Sequence, residues 1–572
     1  MTFTYSVTAA DWGRIAPELI LAAMTLLVMI ADLLLPQPAK GGKDSGPRNF
    51  IFLPLLSLLG LAGAFAATIV LFVAGDQKPA FNQMIGSDFG SLYAYIIILS
   101  ASALGIMLSP AYLKRLNLVH QGEYYALFLS ATIGMMLLAA AVSFLMVFLG
   151  LEMLSLALYI LCSFITGRKT SQEAGMKYFL LSSFASAFLL YGIALAYGAT
   201  GSTSFAGVRT FLFRHAVPAI SHPAPVVPFQ THTLLLVAMG LLTVGFAFKV
   251  SAIPFQAWTP DVYVGAPAPV TAFMSVGTKA AALIAFARVF DVVLGLAQPD
   301  WVPVIWAITV LTIVGGNILA LVQSSVKRLL AYSSIAHAGY LLIGVVVGGT
   351  IGLSAILFYL LCYTFMNLGA FGVVSVLERA DNSGSNYSEI RRLWYRQPVL
   401  AGLLAFFMLA LAGFPFMAGL AAKYYLFYAA LLGGHAELLI IGVLASVLGM
   451  YYYLRVIATM FMEKEVVATP APVPAAPVPT TKRVSTKAGN ADAMVSPGGA
   501  TALAVKPASK VAGQARTTFA VQKATEKEPA LNIGLMSWIA LAIAFVGTLA
   551  MGTVLPFWLV NLAQQAAQMM LR

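Results

Sequence analysis

PVLAGLLAFFMLALAGFPFMAGLAAKYYLFYAALL, residues 398–432, decides how this chain is read. It is apolar throughout except for Lys423, yet it is too long for one straight crossing of a bilayer, which takes about 20 residues. Its centre, AGFPFMAG (412–419), holds Gly413, Pro415 and Gly419. Proline removes a backbone donor and glycine frees the chain, so the stretch predicts a helix broken in mid-membrane. Residues 231–250 end in the same way, at KVSAIPF, where Pro254 follows Lys249.

Apolar runs like these recur along all 572 residues, of which 60% are hydrophobic and 9% charged. Soluble domains carry about 25% charged residues. The expected fold is therefore all-α and polytopic, with about 14 transmembrane helices. They fall near 15–35, 50–73, 89–108, 124–141, 145–166, 174–197, 231–250, 267–290, 301–322, 328–347, 352–377, 398–432, 436–461 and 532–560. The bare break at 142–144 makes the division of the fourth and fifth spans the least secure. The opening residues, MTFTYSVTAADWGR, lack the basic start and cleavage site of a signal peptide, so the first span is expected to be retained.

The net charge of +12 raises nucleic-acid binding, but the basic residues sit in loops between spans, as topology signals do. Counted from the N-terminus, odd loops hold 22 Lys and Arg, whereas even loops and the two termini hold 5. The bias predicts odd loops in the cytoplasm and both termini outside. Residues 466–530, rich in Ala, Pro, Thr and Lys, predict a disordered cytoplasmic loop. Cys162 and Cys362 both fall in spans, so neither a disulfide framework nor a zinc site is expected.

Six basic residues remain in spans once loops and termini are set aside, Lys177, Lys249, Lys279, Arg288, Lys423 and Arg455, and Glu152 joins them as an acid. Each costs roughly 2.5–3.5 kcal/mol at a helix centre. Arg288 and Arg455 lie toward span ends, where their side chains are expected to snorkel to the head groups. Lys177 follows Glu173 by four residues, a spacing that suits a helix-surface ion pair. Lys249 and Lys423 adjoin the two breaks, and Lys279 and Glu152 lie deep. Glu152 is read as the only deeply placed acid and the natural partner for one lysine. A lysine taken out of water holds its proton less firmly, and a nearby carboxylate reverses this, so such a pair can switch. Ser275 and Lys279 share one helix face, as do Ser333, His337 and Tyr340, and Tyr359, Tyr363 and Asn367. Lysines separated by such groups make a proton relay, with His337 as a weaker member. The two breaks lie five spans apart. Spans 4–8 (124–291) and 9–13 (292–462) are therefore expected to form two inverted five-helix repeats, between helices 1–3 (1–123) and, past the loop at 463–530, a last helix (531–572).

FKVSAIPFQAWTPDVYVGAPAPVTAF (248–273), followed by Lys279, resembles the antiporter-like subunits of bacterial proton-pumping NADH–quinone oxidoreductase, respiratory complex I, and subunit N among them. FLGLEMLSLALY around Glu152, AGMKYFLL around Lys177, SSIAHAGY around His337 and LAGFPFMAGLAAKYYLF around Lys423 look like the same family. The resemblance covers about residues 10–460 and the final span. It implies that Glu152 pairs with Lys249, that Lys279 connects, and that Lys423 exchanges protons with the outer side or the next subunit. It implies other membrane-arm subunits and the bilayer as partners, and a bacterial inner-membrane location. It implies no cofactor in this chain, with NADH, FMN, iron–sulfur clusters and quinone belonging to other subunits. Gln256 stands where many members carry a histidine, and glutamine cannot titrate there. The multi-subunit sodium/proton antiporters share the expected fold and are the alternative reading.

Overall fold

The computed structural model describes residues 7–35, 49–116, 118, 121–216, 229–379, 381–462 and 533–571. The chain divides into one unit of Met1–Glu463 with Asn532–Arg572 and a second of Lys464–Leu531. The second unit, with the expected disordered loop, lies outside the described residues.

Within the bilayer every backbone donor and acceptor must be met internally, and an apolar chain does this as helices. Two helices, α1 (Ala9–Arg14) and α2 (Ala16–Leu34), begin the chain. Next come α3 (Asn49–Ala74), α4 (Phe89–Arg115), α5 (Gly122–Ala139) and α6 (Phe144–Cys162). They are followed by α7 (Lys169–Thr200), α8 (Phe205–Ala216), α9 (Phe229–Val250), α10 (Trp258–Gly265) and α11 (Ala268–Ala287). A π-helical turn, Arg288–Val293, extends α11. Then run α12 (Gln298–Leu321), α13 (Val326–Val347) and α14 (Gly349–Leu377). Two short helices, α15 (Tyr387–Ile390) and α16 (Leu393–Arg396), lead to α17 (Pro398–Ala412), α18 (Ala418–Leu432) and α19 (Ala436–Phe461). The chain ends with α20 (Leu535–Thr553) and α21 (Pro556–Leu571).

Thirteen of the described helices are long and apolar enough to cross a membrane, and α17 with α18 supplies the fourteenth crossing in two pieces. The uncertain division at 142–144 holds, since α5 stops at Ala139 and α6 starts at Phe144. The last span is shorter than expected. It ends at Thr553, and the segment assigned to its tail begins the separate helix α21, which buries Leu559, Ala563, Ala566, Ala567 and Met570 along one side. Apolar composition alone did not separate a crossing helix from one that follows it with a one-sided apolar face.

The core is the pair α11 and α14. Every residue of α11 is buried, and α14 packs against α4, α11, α13, α17, α18, α20 and α21. Helices α2 and α3, by contrast, expose Leu26, Leu33, Ile51, Leu59 and Val73, as lipid-facing helices do. Both predicted breaks are present. After Val250 the chain leaves the helix, with Ser251 at positive φ, and resumes at Trp258. The second break runs Gly413–Met417, with Gly413 at φ +91°. A Cβ on Gly419 would lie 1.8 Å from the Ala410 carbonyl oxygen, so only glycine lets α18 start this close to the end of α17.

Charges also lock the helix ends. On the odd-loop side, Glu378 accepts from Arg168 Nη1, Lys327 Nζ and Tyr112 OH, each at 2.7 Å. Lys327 also donates to the Ala266 carbonyl at 2.9 Å, at the joint between α10 and α11. On the even-loop side, Arg288 forms two hydrogen bonds with Asp88, the N-cap of α4, at 2.8 and 3.1 Å. Arg288 is 3% exposed and does not snorkel, because a carboxylate lies within reach of its helix end. Arg455, in contrast, is exposed and lies over the Tyr387 ring.

Candidate proton-conducting site

Lys249 sits in the last turn of α9, just before the first break, and is 1% exposed. Its Nζ donates to Ser155 Oγ at 2.6 Å, Tyr178 OH at 3.3 Å and Ser182 Oγ at 3.4 Å. All three partners are hydroxyls, which accept from an ammonium or donate to an amine equally well. Trp258 on the far side of the break stacks on Tyr178, and its indole N–H donates to the Phe248 carbonyl, which also accepts from the Ser251 backbone N–H. The break is thus closed by the side chains that surround the lysine.

Glu152 lies one helical turn before Ser155 on α6, so it belongs to the same region. It makes no ion pair with Lys249 among the described residues; its charge reaches the lysine through space. Glu152 Oε1 is buried without a hydrogen-bond partner, while the residue as a whole is partly open to the flank of the chain. Two acids at helix ends are more fully buried: Glu18, 4% exposed, in the first turn of α2, and Glu378, 2% exposed, at the C-cap of α14.

Lys177 pairs with Glu173 at 2.6 Å, as the four-residue spacing predicts, and also with Asp261 of α10 at 2.8 Å. Its side chain is 40% exposed. It therefore sits at the rim beside the first break, one residue before Tyr178, whose hydroxyl reaches Lys249. Pro254 lies in that break and Gln256 beside it, with Gln256 Oε1 buried and unpartnered.

Lys279 is buried in the middle of α11 and donates to both the carbonyl and the hydroxyl of Ser334 on α13. That helix then carries the polar row onward. His337 Nδ1 bonds to Tyr359 OH at 2.8 Å and its Nε2 to Tyr453 OH at 3.2 Å. Tyr453 also bonds Ser333. Asn317 donates to Tyr340 OH at 3.2 Å and accepts from Tyr452 OH at 3.1 Å. Asn367 Nδ2 donates to Ser275 Oγ at 2.6 Å, so the expected shared faces do meet across helices.

Lys423, 5% exposed, ends the row on α18. Its Nζ donates to the carbonyls of Leu411 and Ala412 at 3.1 and 3.0 Å and to Ser446 Oγ at 2.9 Å. It also lies 5.5 Å from the Tyr340 ring centre. The two carbonyls are those that the break at Pro415 strips of helical partners, at the negative end of α17, where a cation is favoured. Pro415 thus makes the acceptor pair that the lysine uses. Sequence reasoning missed Ser334, Ser446, Tyr452 and Tyr453, because a single hydroxyl in a span carries no signal until its helix neighbour is known.

A family model described as "NADH:quinone oxidoreductase/Mrp antiporter, TM" matches residues 141–449, which include Glu152, Lys249, Lys279, His337 and Lys423. The chain belongs to that family. A subunit N of NADH-quinone oxidoreductase from Trichlorobacter lovleyi is 41% identical over 78% of the chain and 87% of its own length. One from Herpetosiphon aurantiacus is 40% identical over 82% and 91%. A chain of respiratory complex I from Thermus thermophilus superposes with TM-score 0.66 at 29% identity, covering 95% of this chain and 98% of its own. A chain of the Mrp complex from Dietzia sp. gives TM-score 0.71 at 20% identity, a likeness of fold.

Proposed function

We propose that this chain is the proton-translocating membrane-arm subunit of an NADH–quinone oxidoreductase, working beside antiporter-like neighbours in a bacterial cytoplasmic membrane. The observation that carries the reading is the buried row Lys249, Lys279, His337 and Lys423, each held by hydroxyls, carbonyls or phenols rather than by a fixed carboxylate. A lysine locked in a tight ion pair would keep its proton; these lysines are free of one, so their proton can be passed on. Lys423 finds three acceptors for its three ammonium protons. Lys279 finds two acceptor atoms on one serine, which leaves one proton unshared. Glu152, acting through space on Lys249 and partly open to the flank, tunes that lysine from the side of a neighbouring subunit. Lys177 and Asp261 form the rim at which protons enter. Gln256 orients water beside the break and does not itself titrate.

In this reading residues 124–291 and 292–462 are the two inverted repeats, odd loops face the cytoplasm and both termini lie outside. Quinone reduction, and the flavin, iron–sulfur clusters and NADH it depends on, belong to other subunits, whose motion alters the charge near Glu152. The relatives' names and the 29% identical complex I chain support this reading over a sodium/proton antiporter, which only the fold favours. Proton pumping by membrane vesicles holding the assembled complex with Lys279→Met tests it. Loss of pumping is expected; pumping at the unmodified rate overturns the relay.

A further inference from the structure

A second polar arrangement lies outside this row, on α4. Ser91, Tyr95, Ser102, Ser109 and Tyr112 are all buried and follow one another at intervals of four, seven, seven and three residues, so they share one face. Ser102 bonds Thr132 at 2.8 Å, Ser109 bonds Tyr124 at 2.9 Å, and Tyr112 donates to Glu378. Small hydroxyl residues on a membrane helix also serve close helix packing. That accounts for Ser102 and Ser109 but not for what stands at the other end.

There Tyr95 donates to Oε1 of Glu18, a carboxyl in the first turn of α2. Glu18 Oε2 is buried and has no partner, and neither has the buried Nε of Arg288 nor the hydroxyl of Ser87. Buried polar atoms are nearly always satisfied, by protein or by water. Tyr95 stands one helical turn from Ser91, whose hydroxyl donates to Asp88 Oδ2 at 3.1 Å. Arg288 Nη2 also donates to Ser91 Oγ at 2.9 Å, which ties the guanidinium to the α4 face. The cluster holds two carboxyls and one guanidinium. Arg288 is committed to Asp88 by two hydrogen bonds, so the cluster is electrically balanced only when one proton rests on Glu18. Other charges stand nearby, and one of them, Arg209, donates to the Leu571 carbonyl at 3.4 Å. Arg14 pairs with Asp11 and Asp76, and Asp291 accepts from the Gly349 backbone. A cavity of about 380 Å³, lined by Asp88, Arg288, Gln83, Arg209 and Met570 among others, reaches the Asp88–Arg288 end of the cluster; Glu18 and Tyr95 do not line it.

We propose that Glu18 is a proton-holding site at the even-loop end of the polar face of α4, on the outer side of the membrane. On uptake a proton leaves a hydronium and forms an O–H bond at the unpartnered Oε2, while Tyr95 keeps its hydrogen bond to Oε1; release is the reverse. The outward assignment rests on the topology given under the proposed function, whereas the protonation itself does not.

Infrared difference spectra of the assembled complex, recorded on adding NADH in H2O and in D2O, test this. A protonated-carboxyl carbonyl band that shifts in D2O is expected, and its loss in Glu18→Gln. An identical spectrum in that variant overturns the proposal. If Glu18→Gln fails to assemble, Tyr95→Phe keeps the carboxyl and removes one donor; the band is then expected to move, and an unmoved band overturns the proposal. Vesicle pumping with Lys279→Met reads the lysine relay separately, so either idea can fail alone.

Discussion

Replacing Glu378 by alanine probes the packing that holds the two breaks in place. The carboxylate accepts from Arg168, Lys327 and Tyr112, and the Arg115 guanidinium lies close by on the carbonyls of Ser375 and Val376. Truncation removes the carboxylate that buried Arg168 and Lys327 share, and removing one partner of a buried pair costs about 3–5 kcal/mol. Since about 1.4 kcal/mol is a factor of ten, the ratio of folded to unfolded chain falls on the order of 100-fold or more. Lys327→Met is the matched control. It leaves Arg168 and Glu378 as a pair and removes the donor to the Ala266 carbonyl, to Glu378 Oε2 and to Asn382 Oδ1, so it should cost about 1–3 kcal/mol, the range for leaving a buried acceptor unmet. Unfolding of the detergent-purified complex in increasing denaturing detergent, followed by loss of this subunit, gives the order. Glu378→Ala costing no more than Lys327→Met would refute the charge accounting.

Gly419→Ala places a methyl against the Ala410 carbonyl, and backbone on both sides prevents relief; reduced incorporation into the complex is expected on native gels, and full incorporation would mean the break is looser than described. Lys177→Ala removes a half-exposed ion pair worth about 0–1 kcal/mol, so assembly should be unchanged while the pumping rate falls if Lys177 forms the entry rim. Ser446→Ala deprives Lys423 of one of three acceptors and should destabilise the fold by about 1 kcal/mol, read as a small shift in thermal denaturation.

The membrane fold was legible because its signals are long-range averages. Runs of some twenty apolar residues, alternating loop charge and a proline between glycines each survive ignorance of the neighbours. Lys249, Lys279 and Lys423 were legible for a related reason: a charge in an apolar run is an anomaly on its own. What the sequence hid depends on contact. Arg288 looked free to snorkel until Asp88, two hundred residues away, came into reach. Glu18 and Glu378 drew no attention in the sequence, because only packing shows that those helix ends are buried. The hydroxyls that receive the lysine protons, Ser155, Ser334 and Ser446, are ordinary residues of apolar helices until α6, α13 and α19 turn them toward a lysine. The segment after Thr553 read as one continuous span because composition does not report where a helix stops.

Proton pumping per NADH oxidised, in proteoliposomes of assembled complex carrying Lys249→Ala, tests the central claim most directly. Ser155, Tyr178 and Ser182 then surround no titratable group, and pumping is expected to collapse while the complex stays assembled. An undiminished ratio of protons to NADH would contradict a relay through the buried lysines.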